Sequence, residues 1–282
     1  MPDRAKTYGR FVKIEHTLFS FPLLLTGALL ADGELSWRVV ALILLAGTGA
    51  RTAALGLNRL LDRVIDGANP RTAGRELPSG QMKPIEAAAV TGLGTLVYLV
   101  AAYLISPRCL LYSPIPLAIF VAYPLMKRFT MWAHLGVGAA LAMGPLGAWY
   151  AVQLDFHDYP RVVLICLFTL FWVAGFDIIY ATMDEAFDRR YGLHSLPARL
   201  GTSRALAIAL GFHVAAFALL CLLYQRVLSG GAAVGLLLVI GGLLALEHLK
   251  RSDVDLAFFK INAVIGFVVL AFVWFGIGAV GL

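Results

Sequence analysis

RVVLICLFTLFWVAGFDIIYATMDEAFDRR, residues Arg161 to Arg190, opens on an almost unbroken apolar run and closes on acids and arginines. An α-helix rises about 1.5 Å per residue and a bilayer core is about 30 Å thick, so roughly 20 apolar residues span it. Residues 161–182 are therefore expected to cross a membrane. Runs of the same character lie near 17–33, 37–60, 85–105, 108–126, 131–153, 203–226, 231–249 and 259–281. Together they predict an all-α polytopic membrane protein, nine transmembrane helices in one bundle, forming a single domain over residues 1–282.

Composition points the same way. Of 282 residues, 60% are hydrophobic and 14% charged, with a mean hydropathy of +0.81. Such a chain is neither disordered nor collagen-like, and it is not an ordinary water-soluble domain. Cys109, Cys166 and Cys221 lie far apart, without the spacing of a metal or redox motif. The small residues from Gly136 to Gly147 read as a close helix contact.

Arg4, Lys6, Arg10 and Lys13 precede the first apolar run and could imitate a secretory signal. With eight further spans behind it, that run is expected to remain as the first helix. Eighteen of the 23 basic residues fall in the N-terminal segment and in the connections after the second, fourth, sixth and eighth spans. The other side has Arg38, Arg108, Arg161 and Arg226. Lysine and arginine accumulate in cytoplasmic loops, so the N-terminus is expected in the cytoplasm. The net charge of +6 is then a topology signal that calls for no nucleic-acid partner. A basic cytoplasmic face does attract diphosphates and anionic lipid headgroups.

Two polar clusters break the apolar pattern. In NRLLDRVIDGANPRTAGRELPSGQM, from Asn58 to Met82, the side chains of Asn58, Asp62 and Asp66 recur every four residues, within an arc of about 80° on one helix face. The Asn69-Pro70 step should end that helix and open an irregular loop carrying Arg71 and Arg75. In FDIIYATMDEAFDRRYGLHSLPARLG, from Phe176 to Gly201, Asp177, Asp184 and Asp188 fall within about 40° of one another if the helix is continuous. Solvation of a membrane boundary accounts for Glu86, Glu185 or Asp253. It does not account for the two rows, because like charges four apart repel by a few tenths of a kcal/mol and Asp177 lies in apolar sequence, where an ionised group is costly. A cation facing both rows removes the repulsion. Carboxylate and amide oxygens with no Cys or His set suit a hard ion, and beside phosphates that means Mg²⁺. Arg71, Arg75, Lys127 and Arg128 can grip the remaining phosphate oxygens, so the implied ligand is a diphosphate at the membrane surface.

These residues resemble the UbiA-type superfamily of intramembrane aromatic prenyltransferases. NRLLDRVID is similar to that family's first Asn/Asp-rich motif, GRELPSGQM to its following loop, and DIIYATMDEAFDRRYGLHSLPARLG to its second Asp-rich motif. YPLMKRFTMWAHLGVG, from Tyr123 to Gly138, resembles a connection of the 4-hydroxybenzoate polyprenyltransferases, and AFFKINAVIGF the start of the family's last helix. The resemblance implies a nine-helix bundle, a Mg²⁺-bound polyprenyl diphosphate donor, and transfer of its chain to a small aromatic acceptor such as 4-hydroxybenzoate, as in ubiquinone or menaquinone biosynthesis. The family also contains enzymes with alcohol acceptors, among them archaeal digeranylgeranylglyceryl phosphate synthases.

On this reading Asp62, Asp66, Asp177 and Asp184 are the principal Mg²⁺ ligands, joined by Asn58 and Asp188. Arg71, Arg75, Lys127 and Arg128 clamp the diphosphate. Tyr123 and Tyr180 either face the allyl cation with π density or serve as packing and interface residues. Arg51, alone among basic residues inside a span, either receives an acceptor carboxylate or answers the acids or the diphosphate. His16, His134, His157, His213 and His248 read as boundary or packing residues, and His194 stays open. The polyprenyl tail is expected in apolar grooves open to membrane lipid. A transporter is the rival from another class, since ionisable residues within spans suggest an ion path. Acid rows near one surface, away from the midplane, speak against it.

Overall fold

The computed structural model describes residues 4–13, 17–250 and 260–278. His16, Arg251, Asp253 and the first residues of AFFKINAVIGF lie outside the described residues. Every regular element among the described residues is helical. In chain order these are α1 Arg4–Phe11, α2 Thr17–Leu29, α3 Trp37–Leu61, α4 Arg63–Ala68, α5 Pro84–Ile105, α6 Pro107–Tyr112 and α7 Pro114–Met126. There follow α8 Ala133–Gln153, α9 Pro160–Ala181, α10 Glu185–Tyr191, α11 Leu196–Leu200, α12 Thr202–Val227, α13 Gly231–Leu249 and α14 Asn262–Gly278. Among the described residues, seven helices or continuous helix pairs are long and apolar enough to cross a membrane, and Ser20–Leu29 and Asn262–Gly278 are shorter apolar helices. The chain clusters into two compact units, one of Met1–Phe21 with Ser36–Leu125, the other of Pro22–Leu35 with Met126–Leu282.

In the first unit α3 packs along α5. Local chemistry sets their starts: Ser36 accepts the Val39 N–H ahead of α3, and Glu86 accepts the Lys83 N–H at 2.8 Å where Pro84 opens α5. The basic N-terminal segment holds a short helix the hydropathy pattern does not announce. Its Phe11 is buried with Met82 and Ala87, and Arg4 and Arg10 reach Glu86 and Gln81, both at 3.0 Å. The loop following the first motif is thereby fastened to α1 and α5.

In the second unit α9 is the interior helix, with α8 and α12 packed on it. A Cβ on Gly138 would overlap the Leu170 carbonyl, so glycine sets the approach of α8 to α9. The indole of Trp172 stacks on Phe168 and meets Phe176 edge-on. Its Nε1–H donates to Asn262 Oδ1 at 2.7 Å, and Asn262 Nδ2 donates to Glu247 Oε1 at 3.0 Å. His213 Nε2 bonds the Trp172 carbonyl at 3.2 Å, and its Nδ1 meets His248 Nε2 at 2.9 Å. Four apolar helices are thus tied by polar groups, two of which, Glu247 and Asn262, are fully buried. Asn262→Ala strips both the indole and the carboxylate of a partner. An unfolding titration in SDS should show a loss of about 1–3 kcal/mol, each orphaned group costing about 1 kcal/mol or more inside a bundle.

Candidate active site

The first motif straddles a break between two helices. α3 stops at Leu61 and α4 begins at Arg63, with Asp62 at φ −95° and ψ 3° between them. The ladder nevertheless continues, Asp62 N–H to Asn58 O at 2.9 Å and Asp66 N–H to Asp62 O at 2.8 Å. Asn58, Asp62 and Asp66 therefore stay on successive turns. Asn58 Nδ2 lies 3.4 Å from Asp62 Oδ2, and both Asp62 and Asp66 are buried. Helix α4 ends at Asn69, ahead of Pro70, and Asn69 Oδ1 takes the Arg71 N–H at 3.0 Å to start the loop.

That loop is organised by ion pairs which sequence spacing does not reveal. Arg75 Nη1 donates to both Asp66 oxygens, at 2.9 and 2.8 Å, so this proposed phosphate ligand engages an acid of its own motif. Arg59, on the helix side facing away from bulk water, donates to Glu76 at 2.5 Å and lies 5.6 Å over the Phe11 ring. Arg71 is exposed at the loop surface. Arg51 Nη1 donates to Ser20 Oγ at 2.9 Å, and its buried Nε has no hydrogen-bond partner among the described residues. Tyr123 Oη approaches the Ala54 carbonyl at 3.5 Å. Lys13, which sequence reading counted only as a topology signal, joins this group. Burial, then the guanidinium charges of Arg75, Arg59, Arg51 and Arg71, bring its ammonium down to about 8. Four guanidinium groups thus act on one ammonium beside the first motif, a field that favours an anion.

The second motif departs from a continuous helix. After α9 ends at Ala181, residues Thr182–Asp184 form a 3-10 turn before α10. A 3-10 turn advances about 120° per residue against about 100°, which rotates Asp184 and Asp188 by about 60° relative to Asp177. Asp177, Asp184 and Asp188 then spread over about 80°, still one helix face, with Asp184 and Asp188 one turn apart. Asp177 Oδ2 meets His134 Nδ1 at 2.7 Å, and the Leu196 N–H points at His134 Nε2 at 3.4 Å. The Ser195 hydroxyl bonds Asp188, whose charged or titratable neighbours include Asp184, Lys127 and His134. The Lys127 carbonyl accepts the His194 N–H at 2.7 Å, which brings the connection before α8 to the second-motif loop. Arg199 bonds the His194 ring, and Arg128 is exposed. Glu185 is occupied by Arg189 at 2.7 Å and by the Thr202 N–H at 3.1 Å. Tyr180 is half-buried on the last turn of α9.

Among the described residues no three His, Cys, Asp or Glu converge as a closed ion cage. Each unit offers hard oxygen donors in pairs, Asp62 beside Asn58 and Asp184 one turn before Asp188. Such a set fits Mg²⁺, which takes one or two carboxylates and completes its octahedron with water and phosphate oxygens.

The sequence pattern of the UbiA prenyltransferase family matches residues 20–275. The 4-hydroxybenzoate octaprenyltransferase of Polynucleobacter asymbioticus is 31% identical over 288 residues, covering 97% of each chain. The mitochondrial 4-hydroxybenzoate polyprenyltransferase of Arabidopsis thaliana is 31% identical over 79% of this chain, which spans 56% of that relative's length. Among solved structures, the apo UbiA homologue of Aeropyrum pernix K1 superposes with a TM-score of 0.83 at 33% identity, covering 95% of this chain and 99% of that one. An Archaeoglobus fulgidus UbiA homologue bound to GPP and Mg²⁺ shares the fold, with a TM-score of 0.70 at 18% identity, over 98% of this chain and 100% of that one.

Proposed function

Because the chain belongs to the UbiA prenyltransferase family, and is thus an integral multi-pass membrane prenyltransferase, we propose that it moves a polyprenyl group from polyprenyl diphosphate to an aromatic acceptor such as 4-hydroxybenzoate, releasing pyrophosphate. The observation that carries this reading is the near-full-length likeness to a 4-hydroxybenzoate octaprenyltransferase. The two units are taken as one catalytic domain with nine spans. The lysine and arginine distribution supports a cytoplasmic N-terminus and a site on that same side.

Asp62, Asp66, Asp177 and Asp184 are proposed to hold Mg²⁺, with Asn58 and Asp188 assisting. Mg²⁺ supplies neutralisation of the charge that grows on the departing pyrophosphate. Arg71, Lys127 and Arg128 bind the outer phosphate oxygens, and Lys13 adds a cation to that field. Arg75, whose guanidinium faces Asp66, orients that carboxylate. Tyr123 and Tyr180 present π faces to the allylic cation and help exclude water until the ring attacks. Arg51 is the proposed partner of the acceptor carboxylate. The polyprenyl tail runs along lipid-facing grooves.

Purified protein offered 4-hydroxybenzoate and geranylgeranylglyceryl phosphate together with geranyl diphosphate should yield the prenylated benzoate by mass. Exclusive modification of the alcohol would move the chain to the ether-lipid branch. Lys127→Ala should raise the KM for the donor by about tenfold with a smaller change in kcat, the loss of one charge-assisted phosphate contact. An unaltered donor dependence removes Lys127 from the clamp.

A further inference from the structure

We propose that His134, which sequence reading assigns to packing, is a positioning residue that holds the second acidic motif in its cation-binding arrangement. The inference rests on the Mg²⁺-dependent reading above. His134 stands in the first turn of α8 and is 4% exposed. A backbone amide has only a hydrogen to give, so the Leu196 N–H at 3.4 Å meets a lone pair on Nε2. The ring proton then sits on Nδ1, where it is directed at Asp177 Oδ2, 2.7 Å away.

Both nitrogens are thereby committed to segments that flank the motif. One fixes Asp177 near the end of α9, and the other fixes Leu196 at the start of α11. Ser195, the preceding residue, accepts the Ala198 N–H at 3.3 Å as the cap of α11 and bonds Asp188. A single buried ring therefore links the carboxylate before the 3-10 turn to the loop that carries the partner of the carboxylate after it. An ordinary core histidine would need only any two partners. This one selects a proposed ligand and the anchor of a second. The imidazole engages Oδ2, one of the two carboxylate oxygens of Asp177. Outer partners of this kind fix the direction of a ligating carboxylate, and their loss typically costs about 10–100-fold in metal affinity.

The test is Mn²⁺ binding, read by electron paramagnetic resonance on the full chain in detergent with inorganic pyrophosphate present and no turnover. His134→Phe should raise the half-saturating Mn²⁺ concentration by about tenfold or more. His134→Gln, whose amide supplies both a donor and an acceptor, should stay within about threefold of the unsubstituted protein. If the phenyl ring prevents folding, judged by gel filtration and thermal melting, His134→Ala takes its place with the same expectation. Wild-type affinity in a folded Phe or Ala variant overturns the proposal, and so does a Gln variant as weak as either. Absence of Mn²⁺ binding by the unsubstituted protein overturns instead the metal reading on which the proposal rests.

Discussion

Asp62→Ala is expected to lower prenyl transfer by about a thousandfold or more, the scale that follows when a transition-state charge loses a principal electrostatic partner. Asp62 is only 2% exposed and sits where α3 passes into α4. The backbone bonds through this junction, Asp62 N–H to Asn58 O and Asp66 N–H to Asp62 O, are both kept by alanine. The variant should therefore purify as a helical protein with a melting temperature near that of the parent. Asp62→Asn separates charge from shape, because it retains the volume and a polar contact with Asn58. It should be as inactive as the alanine variant. An active Asp62→Asn would show that the residue serves the helix junction and not the reaction.

Asp184→Ala is expected to give the second large effect, a comparable loss of turnover with little loss of stability. Asp184 occupies the position before α10, but its side chain makes no capping bond to that helix. Deleting the carboxylate leaves the 3-10 turn and α10 with their backbone bonds intact. Raising Mg²⁺ about tenfold should recover part of the activity if Asp184 binds the ion, since a weakened site can be refilled by mass action. Full activity at ordinary Mg²⁺ would take Asp184 out of the ligand set. The neighbouring Glu185 provides the contrast: it is engaged by Arg189 and Thr202, and its replacement should disturb the α10–α12 junction more than the chemistry.

Much of the fold is legible because long apolar runs have one physical use. The helices found at Trp37–Leu61, Pro84–Ile105 and Gly231–Leu249 follow the hydropathy boundaries within a residue. Asn69-Pro70 ends α4 as its backbone chemistry requires. What stays hidden is of two kinds. Local backbone changes, such as the helix break at Asp62 and the 3-10 turn at Thr182–Asp184, have no compositional signal, so a uniform 100° per residue draws the second row narrower than the turn makes it. Contacts between distant segments, such as Arg59 with Glu76 or His134 with Asp177, depend on packing that no spacing rule contains. Phe11 illustrates the same limit, since an eight-residue amphipathic helix is too short to stand out from a basic leader. Glu247 did carry a usable signal. An acid near the end of an apolar span needs a partner, and following that rule leads to Asn262 and Trp172.

Pyrophosphate release is the quantity to measure, with purified protein, geranyl diphosphate and 4-hydroxybenzoate, before and after chelation by EDTA. Pyrophosphate should appear mole for mole with prenylated benzoate, stop on chelation and resume when Mg²⁺ is restored. Release that continues unchanged in EDTA, or none at all with Mg²⁺ and both substrates present, would contradict the assignment of the carboxylates as magnesium ligands in a prenyl transfer.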